Sequence, residues 1–169
     1  MPDSTLITMP EALAQLRYTA DDETNGSVDT DEIQRFINSA ADYTQRYLQR
    51  YVYVDQETLD AAVLAVPDAV QAAEDAYTAA IAAAAQMPLG LPRDMATFKA
   101  NTDHDAAASA ARWTYLGIVM NESIKRAMLM LISHYDQNRE AVYADVGSVA
   151  EIPLGVDNHL FPYRVQLGV

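Results

Sequence analysis

Residues 121–143, NESIKRAMLMLISHYDQNREAVY, decide how the rest of the chain is read. The apolar residues Ile124, Met128, Leu131, Tyr135 and Val142 are spaced by four, three, four and seven positions, with Ala127 and Ile132 beside them. That spacing lays one apolar stripe along one face of a helix. Asn121 is placed to cap it, Glu122 complements the dipole of the first turn, and Gly147 follows its end. The polar end gathers His134, Asn138, Arg139 and Glu140. The stretch therefore predicts a helix with one buried face, which needs other helices to cover it.

Toward the N-terminus the partners are legible. Thr8 and Glu11 have capping-box spacing around Pro10, and Leu13 and Leu16 give a short helix that should end near Tyr18. An acidic loop follows, and Asp29 or Thr30 caps a long helix reaching to about Tyr53. In that helix Ile33, Phe36, Ile37, Ala40, Tyr43, Tyr47, Leu48 and Tyr51 keep helical spacing. A tyrosine stripe can stack nucleic-acid bases, but beside so acidic a surface its expected role is packing.

Between these two regions the composition changes. Thirteen of the 26 residues 61–86 are alanine. Leu59, Val63, Val66, Val70, Ala73 and Tyr77 alternate steps of four and three, a narrow seam for close helix packing. Pro67 should kink this helix or begin a new one. Pro88 to Pro92 is a clear break. A short helix over 94–100, a second capped by Asn101 to Asp103 and running to Arg112, and a weakly helical 113–120 are the expected continuation. After the central helix, residues 145–148 read as a turn and 157–161 as a single helical turn. Residues 165–169 read as an extended end able to join a partner's sheet edge.

Composition limits function. The chain has 169 residues, enough for one domain with a real core. It has no cysteine, which excludes disulfides, thiolate chemistry and Cys-based zinc sites. No apolar run approaches the roughly 18 residues of a membrane span, and the N-terminus has no signal-peptide pattern. The expected product is a soluble protein made in the cytoplasm. Twenty-four acidic against eleven basic residues give a net charge of −13, which opposes non-specific binding to nucleic acid.

The strongest short motif is acidic. Residues 21–32 match a calcium-binding EF-hand loop, with Asp21, Glu23, Asn25, Asp29 and Glu32 at ligand positions and Gly26 at the turn. Glu at the third position is uncommon, Arg17 and Thr19 replace apolar residues of an entering helix, and there is no second loop to pair with it. Capping and the helix dipole explain the same acids. A calcium-binding module is thus the alternative reading, and no other metal or cofactor is expected. His104, His134 and His159 form no ligand set, HExxH, GxSxG, Walker and GxGxxG patterns are absent, and no carboxylate pair is singled out. The chain does not read as an enzyme.

Several segments together carry a resemblance. They are Glu11 to Arg17 with Asp21 to Glu23, Asp31 to Leu48, His134-Tyr135 with Asn138 to Ala141, and Ile152 to Val156 with Leu160-Phe-Pro-Tyr-Arg164. The pattern resembles the head–tail connector proteins of long-tailed double-stranded DNA bacteriophages, also called adaptor or head-completion proteins. It covers about residues 6–54 and 121–165, and the block of about 55–120 departs from it as a helical insertion.

The resemblance implies an all-α connector domain over 1–150, a small helical bundle carrying an alanine-rich helical insertion, with an extended C-terminal assembly tail over 151–169. It implies a homo-oligomeric, dodecameric ring under the portal protein, in the capsid–tail neck of the virion. DNA passes through that ring without sequence-specific binding, and a stopper or tail-completion protein docks below. The portal and subunit contacts fall on Asn138, Arg139, Glu140, Leu154, Val156, Leu160, Phe161, Pro162, Tyr163 and Arg164. An acidic lumen would repel phosphates and let DNA slide. The large apolar residues of the tail, interrupted by prolines, cannot make a core of their own: contact with another chain is the expected use, and folding back on the chain's own helices is the alternative.

Overall fold

The computed structural model describes residues 6–19, 22, 28–138 and 154–165, without the side chain of Leu154. The described protein is all-α apart from one pair of two-residue strands. It divides into two compact units, one within residues 1–55 and 118–169 and the other Gln56–Gly117.

In the first unit, α1 (Met9–Leu16), α2 (Thr30–Leu48), α5 (Glu122–Gln137) and α6 (Leu154–Leu160) share one core. The stripe of α5 is buried as its spacing requires: Ile124, Ala127, Met128, Leu131 and Ile132 are all inaccessible. Ile33, Ile37, Ala40 and Leu48 of α2 meet them, with Ala12 and Leu13 from α1. Each leucine, isoleucine or methionine so buried contributes on the order of 1.5–3 kcal/mol before conformational entropy is counted.

The caps are those legible in the chain. Asn121 Oδ1 accepts from the N–H groups of Ser123 and Ile124, both at 3.0 Å, and Asp29 Oδ1 accepts from Glu32 at 3.0 Å. The Thr8 N–H and hydroxyl both donate to Glu11 Oε2 at 2.9 Å.

α2 stops at Leu48, five residues short of the expected Tyr53. Gln49 turns into the left-handed region (φ 56°), and its N–H and that of Arg50 close onto the carbonyls of Arg46 and Gln45. Val52–Tyr53 then forms β1, which pairs in parallel with β2 (Ile118–Val119) in the register Val52 with Ile118 and Tyr53 with Val119. Residues 113–120, expected to be helical, thus end as a strand. Arg17 caps α1 in the same left-handed conformation (φ 63°). A side chain there costs about 1–2 kcal/mol that glycine does not. Gln49→Gly is therefore expected to stabilise the protein by about 0.5–1 kcal/mol, read as a higher urea midpoint.

The second unit is an antiparallel hairpin of α3 (Gln56–Ala85) and α4 (Leu91–Tyr115). α3 runs as one helix through Pro67, so no new helix begins there. α4 is likewise one helix and not two. Asn101 and Asp103 do not interrupt it, because Ala100 is buried in the seam and Lys99 pairs with Asp103 one turn on at 2.6 Å. The seam is small-sided and held in register by polar contacts. Tyr77 donates to Asn101 Oδ1 (3.0 Å), Glu74 meets His104 Nε2 (2.8 Å), and the Tyr77 and His104 rings lie 4.7 Å apart. Arg93 folds back onto the carbonyls of Ala85 (2.8 Å) and Met87 (2.6 Å), satisfying the C-terminal end of α3.

Candidate functional site

The expected contact residues separate into buried, exposed and undescribed groups. Val156 and Leu160 are inaccessible and belong to the core shared by α2 and α5. This corrects the expectation that the tail buries its apolar residues on another chain: these two are spent within the subunit. The reason is one of shape. α6 lies against α5 closely enough that a Cβ on Gly155 would sit 2.6 Å from Met130 Cε, and the flexible methionine tip would have to turn aside. Ser123 Oγ lies 3.0 Å from His159 Nδ1 and ties the same two helices.

After Leu160 the chain makes a 3-10 turn, Phe161–Tyr163. Phe161 is 68% exposed and Pro162 is exposed beside it, while Tyr163 leans on the core. Arg164 places its guanidinium over the Tyr47 ring, 5.3 Å from the centroid, a cation–π contact. The Val165 N–H donates to the carbonyl of Leu48 at 3.0 Å, taking up one of the free carbonyls at the end of α2. That backbone group is therefore paired within the chain; the rest of the expected extended end, residues 166–169, lies outside the described residues.

Around Tyr47 lies an open groove of about 540 Å³ lined by Ser39, Asp42, Tyr43, Arg46, Tyr47 and Tyr135. The Tyr43 and Tyr47 rings stack 6.2 Å apart, and Arg46 pairs with Asp42 at 2.8 Å. Burial pushes the Tyr43 and Tyr135 phenols up, with Asp157 adding to the first and Tyr43 and Asp42 to the second. The tyrosines pack against the core as their spacing suggested, but their outer edges also form a wall with the tail's arginine. That juxtaposition was not readable from the stripe, because Arg164 is distant in sequence.

Asn138 ends α5, donating its Nδ2 to the His134 carbonyl at 2.8 Å. Arg139 and Glu140 lie outside the described residues, as does the side chain of Leu154. Of the calcium loop, Asp21, Glu23, Asn25 and Gly26 lie outside them too. Asp29, its ninth position, caps α2 and approaches Arg35 at 3.9 Å. Among the described residues no cluster of His, Asp and Glu is arranged to hold a metal, and no helix is long and apolar enough to cross a membrane.

One charged contact was missed by sequence reasoning. Glu11 Oε1 accepts from Lys125 Nζ, joining α1 to α5, while its other oxygen completes the cap on Thr8. The Lys125 hydrogen bond first, and the Thr8 N–H next, hold the Glu11 carboxyl down from an ordinary 4.5 to about 2. A lowered acid stabilises the fold above pH 4.5, and that contribution drains away as pH falls toward 2. Glu11→Gln keeps a capping side chain but removes the ion pair. It is expected to cost about 0.5–1 kcal/mol at pH 7, the pair being partly solvated, and only a small fraction of that at pH 2, where half of the carboxyl is still ionised. Urea unfolding at the two pH values checks it.

The chain matches no protein-family model, no curated protein and no solved structure.

Proposed function

We propose that this protein is a head–tail adaptor of a long-tailed bacteriophage, a structural subunit that forms a ring under the portal and extends the DNA channel. One observation carries the reading. The two stretches that resemble the connector family, about 6–54 and 121–165, make up one compact unit with a common core, and the stretch that does not resemble it is the other unit, Gln56–Gly117. The ends of the hairpin are side by side in the first unit's strand pair, Val52 beside Ile118. A segment joined in this way can be added to a subunit without disturbing its core.

In this reading the partner-facing part of the tail is narrower than the motif. Phe161 and Pro162 supply the projecting apolar contact, Arg164 braces it against Tyr47, and Tyr163 packs on the core. Aromatic and arginine side chains are the usual anchors of interfaces. The groove formed by Tyr43, Tyr47 and Tyr135 is the natural surface for a neighbouring subunit. The charge of −13 suits a channel that must let DNA pass without holding it.

Electron microscopy of the protein mixed with the portal of its own phage tests the reading. Rings stacked on the portal are expected. A chain that stays monomeric with the portal present would overturn it.

A further inference from the structure

The adaptor reading leaves the far end of the hairpin without a role, and that end is the most apolar exposed surface in the second unit. Leu89 is 83% exposed, Leu91 72%, Phe98 64% and Met95 55%, with Met87 beside them. Leu91, Met95 and Phe98 stand at i, i+4 and i+7 on α4, so they form one stripe that continues from the turn. The stripe is turned away from α3, since the seam uses Arg93, Ala100 and His104. Five large apolar residues exposed over one turn and the helix that follows it differ from the scattered single exposures usual on a monomer.

Charge indicates what can cover it. Residues 76–92 contain no Asp, Glu, Lys or Arg, in a chain where 21% of residues are charged. Arg93, next in line, has its guanidinium folded onto the carbonyls of Ala85 and Met87. Two copies of a chain carrying −13 repel one another over most of their surfaces. The hairpin end is where they meet with the least like charge: over residues 76–98 only Arg93 and the exposed Asp94 are charged, one of each sign. A two-fold contact also sets each apolar stripe against an identical one.

We infer that the hairpin end is a self-association surface, through which the stripe of Met87, Leu89, Leu91, Met95 and Phe98 packs on the same stripe of a second copy. This contact is separate from any ring contact made by the first unit. Raising the salt concentration screens the repulsion between copies and strengthens it.

Sedimentation of the full chain, without portal, over a range of concentration and salt tests the inference. The wild type is expected to form dimers or larger species that tighten as salt rises. Leu89→Asp with Phe98→Asp should weaken the association at least about 30-fold, a hot-spot effect. Leu64→Asp, which adds a charge at another exposed site on the hairpin, should leave the association within about threefold of wild type. Unchanged far-UV circular dichroism shows that the variants fold. Equal behaviour of wild type and double variant would overturn the inference, and rings still forming on the portal would leave the adaptor reading standing. Flotation of a monomeric wild type with phosphatidylcholine vesicles would also overturn it, in favour of a lipid surface.

Discussion

Leu160→Ala is expected to lower the free energy of unfolding by about 3 kcal/mol, the middle of the range for emptying a fully buried leucine site. Leu160 is inaccessible, and with Val156 it is the tail's share of the core. The loss has two parts, the apolar surface returned to water and the cavity left behind. The Ser123–His159 contact fixes the same helix and limits how far the site can collapse. Urea unfolding followed by circular dichroism reads the change as a shift of midpoint at constant slope. A cost below about 1 kcal/mol would mean that α6 is not seated in the core as described. The variant should also loosen Val165 from the Leu48 carbonyl, visible as faster amide exchange at that residue.

Phe161→Ala, one residue further on, is expected to do the opposite. Its side chain is largely exposed, so stability should stay within about 0.5 kcal/mol of wild type. On the adaptor reading it is the leading contact with the portal, and truncating a central aromatic anchor weakens binding by about 30-fold or more. Co-sedimentation with purified portal measures this directly. Wild-type affinity in the Phe161→Ala protein would remove the tail from the portal interface. The adjacent pair therefore separates folding from assembly within a single motif: Leu160 builds the subunit, and Phe161 meets the partner.

Much of the fold could be read in the chain because it is written in local periodicity. The stripe Ile124, Met128, Leu131 needs only one helix turn to be recognised, and the caps at Thr8, Asp29 and Asn121 act within three residues of themselves. The errors fell where local signals were outweighed. Gln49 ends α2 in a conformation that favours glycine, so no residue type announced the stop. Asn101 and Asp103 look like caps, yet the seam contacts of Ala100 and His104 carry α4 straight through them. The candidate site was harder still. Its groove joins Tyr43 and Tyr47 to Tyr135, and Arg164 reaches it from over a hundred residues away.

The sequence by itself determined that this is a helical, cysteine-free, strongly acidic protein with an alanine-rich middle, since composition and spacing act over a few residues. Only the tertiary structure decided what became of residues 154–165. Their apolar residues carry no mark of which surface will cover them. Burial is non-directional, so Val156 and Leu160 found the chain's own core while Phe161 remained outside it.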